Sequence, residues 1–166
     1  MGGFYQEFAW AVVVGGMATG FMDLCALART KFLGTRAMNW ANVGRWVGHL
    51  ARGQLVLTGA HGERAVRFEQ ALGWAVHYGV GIALAGLLQV ILGAQALLNP
   101  QPLAIIGFGV ATVALPILIL QPGLGLGVAG RKTAAPWGAR RASVLTHLTF
   151  GVGLYLAALV VAGALR

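Results

Sequence analysis

Residues 8–28, "FAWAVVVGGMATGFMDLCALA", decide the architecture. A run of about 20 predominantly apolar residues is what an α-helix needs to cross a hydrocarbon core roughly 30 Å thick. Three more segments meet that requirement, at residues 71–92, 103–120 and 143–164, so the chain reads as four membrane spans. Composition agrees: 58% of the 166 residues are hydrophobic, 10% are charged, and mean hydropathy is +0.76. That exceeds what a soluble domain needs to fill a core. The expected fold is all-α, one integral membrane domain built as a four-transmembrane-helix bundle. Pro116 is expected to kink the third span and free a backbone carbonyl that a neighbour must satisfy.

Charge sets the expected orientation. Seven Lys/Arg lie in residues 29–70 and four in residues 121–142, against Arg166 alone elsewhere. By the positive-inside rule both long loops are expected in the cytoplasm and both termini outside it. In that setting a net charge of +8 reports orientation and anionic-lipid contact, and nucleic acid is not an expected partner. The N-terminus "MGGFYQEF" lacks a basic region and a cleavage site, so the first apolar segment is expected to stay in the mature protein. The single cysteine, Cys25, allows no intramolecular disulfide and no cysteine-based zinc site.

The first loop is too long to be an idle connection. Within it, "AMNWANVGRWVGHLARG" (residues 37–53) puts Trp40, Val43, Trp46, Val47 and Leu50 at helical spacing. This predicts an amphipathic helix lying on the inner membrane surface or capping the bundle. The stretch after it, "GQLVLTGAHGE", reads as a loop or short hairpin.

Ionisable residues inside spans are expensive, and they carry the functional expectation. Asp23 lies six residues before Arg29, His77 eight beyond Glu69, and His147 six after Arg141. Helical rise puts each roughly 10 Å inside the same boundary. Asp23 shares a face with Gly16 and Gly20, and His77 with Gly73, Gly81 and Ala85, which predicts that they face the bundle interior. Gln121 and His49 are candidate fourth and fifth members. Asn39, Glu63, Tyr78, Thr146 and Tyr155 are candidate supporting donors or acceptors. One Asp with two or three His suits a divalent transition metal, and the same set suits proton binding, because histidine titrates near neutrality. The structural alternative is a hydrogen-bonded pair that fixes helix register and does no chemistry.

"QPGLGLGVAGRKT" nearly matches a phosphate-binding loop, but Arg131 breaks the spacing and a membrane span precedes it, so nucleotide mechanics do not apply. Its backbone amides with Arg131 and Lys132 instead suggest a lipid phosphate, with Arg45 a further candidate. No Ser/His/Asp nucleophile pattern, H-E-x-x-H or carboxylate pair is present.

"MDLCAL", "NWANVGRWVGHL", "GERAVRFEQALGWAVHYGVGIA", "QPGLGLGVAG" and "THLTFGVGLYLAAL" resemble the domain-of-unknown-function 2938 family of small bacterial inner-membrane proteins, over nearly the whole chain. Asp23, Asn39, Arg45, His49, Glu63, His77, Gln121 and His147 carry the resemblance. It implies a four-helix protein of the bacterial inner membrane and names no activity. The leading functional expectation is therefore metal-ion or proton binding or transport at the Asp/His site, with a homodimer as working unit. The alternatives are an enzyme acting on a lipid or isoprenoid, and an accessory subunit of a larger membrane complex.

Overall fold

The computed structural model describes residues 2–35, 37–58, 64–93 and 99–164, and among these it is helical with no strand. Helix α1 is Gly2–Leu33, α2 is Trp40–Leu50, α3 is Glu69–Leu92, α4 is Pro102–Ala111 and α5 is Pro136–Ala164. Four helical segments, Tyr5–Leu33, Glu69–Leu92, Pro102–Gly123 and Pro136–Ala164, are long and apolar enough to cross a membrane. The chain is a multi-pass membrane protein by that measure. Two of the four helices outrun their apolar stretches, because helical hydrogen bonding continues into polar residues at a span end.

The chain divides into two compact units. The first comprises Met1–Arg36, Tyr78–Thr112 and Thr146–Arg166, and is a four-helix bundle of α1, α4 and the corresponding parts of α3 and α5. Its core is Val14, Ala18, Ala85, Leu88, Ile105 and Leu154, each fully buried. Glycines bring the helices to backbone contact. A methyl group at Gly15 would lie 2.6 Å from the Ile82 Cα, one at Gly153 would lie 2.9 Å from the Ala18 carbonyl, and Gly109 meets Gly151 directly. Thr19 fills the notch at Gly81 and returns its hydroxyl proton to the Gly15 carbonyl at 2.8 Å.

The contact register differs from expectation by one residue. Gly16 has nothing within 4 Å of a built Cβ, and Gly20 meets only the Tyr78 hydroxyl at 3.8 Å. The α1–α3 crossing uses Gly15 and Thr19 instead, since a back-bonded threonine packs as a small residue once its hydroxyl is satisfied.

The second unit comprises Ala37–His77 and Val113–Leu145. The predicted amphipathic helix is present as α2, its first turn capped by the Asn39 side chain, which accepts from the Ala41 N–H at 3.0 Å. Glycines seat it on protein: its own Gly44 meets the Glu69 carbonyl, Gly73 of α3 meets the Trp40 carbonyl, and the Trp46 indole lies on Gly123. Trp46 Nε1 donates to the Leu55 carbonyl at 2.9 Å, and the Leu57 N–H donates to Gly123 at 2.8 Å. The stretch expected as loop or hairpin is a loop over residues 54–58, and residues 59–63 lie outside the described ones. After a break at Thr112–Val113, the third span continues as a π-helical turn at Pro116–Leu120.

The two neighbouring glycines of α1 give a contrast. Gly15→Ala is expected to cost about 1–3 kcal/mol by overpacking, whereas Gly16→Ala, with open space, should be neutral or stabilising by up to about 1 kcal/mol. Thermal unfolding of the two variants in one detergent measures both.

Candidate functional site

In the first unit the polar groups join helices in pairs. Asp23 on α1 accepts a hydrogen bond from the Tyr78 hydroxyl on α3. His147 on α5 places Nδ1 2.7 Å from Thr112 Oγ1, at the end of α4. Arg29 on α1 donates to Thr149 Oγ1 on α5 at 3.3 Å. Each bond closes a different helix pair.

The His147 contact determines its tautomer. Thr112 Oγ1 also lies 2.6 Å from the Gly109 carbonyl, which is an acceptor and nothing else. The hydroxyl has one proton and gives it there, so it must accept from His147 Nδ1–H. Nε2 of the neutral ring is thereby left with a lone pair. Thr146 and Tyr155 share α5 with His147, but Thr112 is the hydroxyl that bonds the imidazole.

The remaining expected residues lie in the second unit. His77 stacks on Trp40 with centroids 3.8 Å apart, and Trp74 meets its edge at 5.7 Å. His49 has Nδ1 3.0 Å from the Gln54 side-chain oxygen, and its Nε2 donates to the Arg64 carbonyl at 2.9 Å. Both nitrogens are engaged, so the ring ties a loop to α2. Gln121 donates to Ser143 Oγ at 2.9 Å, while its own Oε1 is buried with no hydrogen-bond partner. Asn39 is a helix cap. Glu63 lies outside the described residues.

Arg45, expected at a phosphate, is committed to Glu69. Its Nε and a terminal nitrogen lie 2.9 and 2.7 Å from the two carboxylate oxygens, a fork-on-fork pair that raises the guanidinium above its ordinary value. Glu69 also accepts from the Val66 N–H at 3.0 Å. Six of the nine glycine-loop amides are committed too: those of Gly125, Leu126, Gly130, Arg131, Lys132 and Thr133 all donate to backbone carbonyls. Arg131 and Lys132 keep only their side chains for an anion.

A metal ion needs three or more converging ligands. Among the described residues no group of three His, Cys, Asp or Glu is placed to hold one. Asp23 and His147 are each engaged with a hydroxyl, and His77 stands among indoles, so this donor set does not fit a chelated metal. The partners that sequence reasoning passed over are Thr112, Thr149, Ser143, Trp40 and the ion-pairing role of Glu69. Gln89 was passed over as well; it is 6% exposed, with both side-chain polar atoms unsatisfied. A lone hydroxyl or amide in an apolar span was the available signal.

Thr112→Val removes the acceptor for His147 Nδ1–H while keeping the shape of the side chain. It is expected to cost roughly 0.6–2 kcal/mol and to mix the imidazole tautomers. Detergent unfolding reads the first effect and ¹⁵N chemical shifts of the ring read the second.

No curated protein and no solved structure matches the chain. A family model described as "Protein of unknown function (DUF2938)" matches residues 12–161, and the chain belongs to that family.

Proposed function

We propose that this membrane protein binds and exchanges a proton within its first unit, at His147 and at the Asp23–Tyr78 pair, and does not chelate a metal ion. The observation that carries the reading is the fixed His147 tautomer. A ring held as Nδ1–H by Thr112 presents Nε2 as a base, which is what proton exchange requires. Asp23 supplies a second exchangeable site bonded to a phenol. Arg29 of α1, bonded to Thr149, holds its positive charge against α5 two residues beyond His147. Proton binding needs one acceptor and a hydroxyl neighbour, whereas metal binding needs ligands that converge; this donor set supplies the first.

On the Lys/Arg asymmetry we place both long loops in the cytoplasm and both termini outside a bacterial inner membrane. A C-terminal reporter that is active only outside the cytoplasm checks that assignment.

The functional test is proton uptake into vesicles holding the purified protein and a pH-sensitive dye. Wild type is expected to exceed empty vesicles, with Asp23→Asn and His147→Gln falling to the empty level while remaining folded. Wild-type flux equal to empty vesicles defeats the reading. So does stoichiometric metal in the purified protein that is lost in His147→Gln.

A further inference from the structure

Residues 113–145 carry four cationic side chains, Arg131, Lys132, Arg140 and Arg141, and no Asp or Glu. Within the described part of the same unit the one carboxylate, Glu69, is held by Arg45. This leaves a cluster of positive charge whose counter-ion is not supplied by its own segment.

The cluster is built on a rigid loop. Six amides between Gly125 and Thr133 close backbone hydrogen bonds of 2.8–3.2 Å within it or to the preceding turn. Gly125, Gly127 and Gly130 take left-handed conformations, and so does Ala129 at φ 54°, a strained backbone for a residue with a Cβ. Arg140 supports that turn, its Nε donating to the Ala129 carbonyl at 3.1 Å. The loop then folds the Arg131 and Lys132 stems together over Gly127, where a built Cβ would lie 2.8 Å from one Cγ and 3.1 Å from the other. Two flexible cations are thus brought side by side, which lowers the ordering cost of a shared anion.

Apolar surface lies beside the charge. Trp137 is 70% exposed, with the Arg140 guanidinium 5.0 Å from its ring centroid, and Val128 is 44% exposed. One span-length helical segment ends at Gly123 and the next begins at Pro136, so the loop joins the ends of two candidate spans. Tryptophan beside Lys/Arg is the composition that favours headgroup depth.

From this juxtaposition we infer that Arg131, Lys132 and Arg140 bind the phosphate of an anionic phospholipid, with Trp137 and Val128 against its glycerol and upper acyl region. Side chains take the phosphate, because six of the nine amides from Gly125 to Thr133, those of Arg131 and Lys132 among them, are already bonded to backbone carbonyls. The site is separate from the proposed proton site, and loss of one leaves the other standing.

Native mass spectrometry of the full chain in mild detergent, titrated with phosphatidylglycerol or phosphatidylcholine, tests it. Wild type is expected to prefer phosphatidylglycerol. Arg131→Gln with Lys132→Gln should weaken that binding about fivefold per charge, or about 25-fold together. Lys31→Gln with Arg52→Gln, which removes two cations elsewhere, should leave it unchanged. Arg140→Gln should weaken it also, and if that variant misfolds the double variant decides alone. Equal uptake of the two lipids by wild type overturns the proposal, as does a double variant that binds like wild type. Displacement of the lipid by equimolar inorganic phosphate would assign the site to a free anion and remove the lipid from it.

Discussion

A polar side chain inside hydrocarbon has no water to turn to, so it must be satisfied by the protein. The first unit depends on that constraint. Asp23 and His147 are expensive at membrane depth, Arg29 stands at the basic boundary, and each is met by a hydroxyl on a different helix: Tyr78, Thr112 and Thr149. Such bonds contribute roughly 0.6–2 kcal/mol each, and they are directional. Because they link α1 to α3, α1 to α5 and α4 to α5, rotating one helix would break at least one of them.

Backbone proximity makes the hydroxyls reachable. Tyrosine and threonine span short distances, and helices separated by large side chains would hold them apart. Gly15, Gly109 and Gly153 let helix backbones touch, and the polar pairs form close to those contacts in sequence. Thr112 and His147 each lie three or four residues from the Gly109–Gly151 contact. The second unit repeats the logic with charge in place of hydroxyls: Gly44 and Gly73 bring α2 onto α3, and Arg45 then reaches both oxygens of Glu69. A residue that looked available to a ligand in sequence is a clasp in structure.

Span number and helical class were legible because a run such as residues 8–28 admits no other reading at that length. Azimuth was not. Asp23, His77 and His147 stand at similar counts from the basic boundaries, yet each binds a different neighbour, because facing is decided by which of several small residues the partner helix touches. Gly15 and Gly16 are adjacent in sequence and equally small, and only contact geometry makes one a crossing point and leaves the other open. Hydroxyl partners were hidden for a similar reason. Thr112 and Thr149 are close to neutral in hydropathy, and nothing about them stands out until a histidine or an arginine lies opposite, whereas Tyr78 was a candidate donor in sequence.

Pro116 shows how one residue sets two later contacts. It has no N–H, so the helix before it loses a bond at Thr112, and the chain re-forms as a π turn in which the Gln121 N–H reaches back five residues to the Pro116 carbonyl. A π turn holds one residue more than an α turn, which rotates everything after it by about 100° relative to an unbroken helix. With that rotation Gln121 faces Ser143 and Gly123 faces Trp46. An uninterrupted α-helix over the same residues would turn both away, leaving the Gln121 amide without Ser143 and the Trp46 indole without Gly123. The proline expected to kink the third span thus stands at the start of the π turn that precedes the Gln121–Ser143 bond and the Gly123–Trp46 contact.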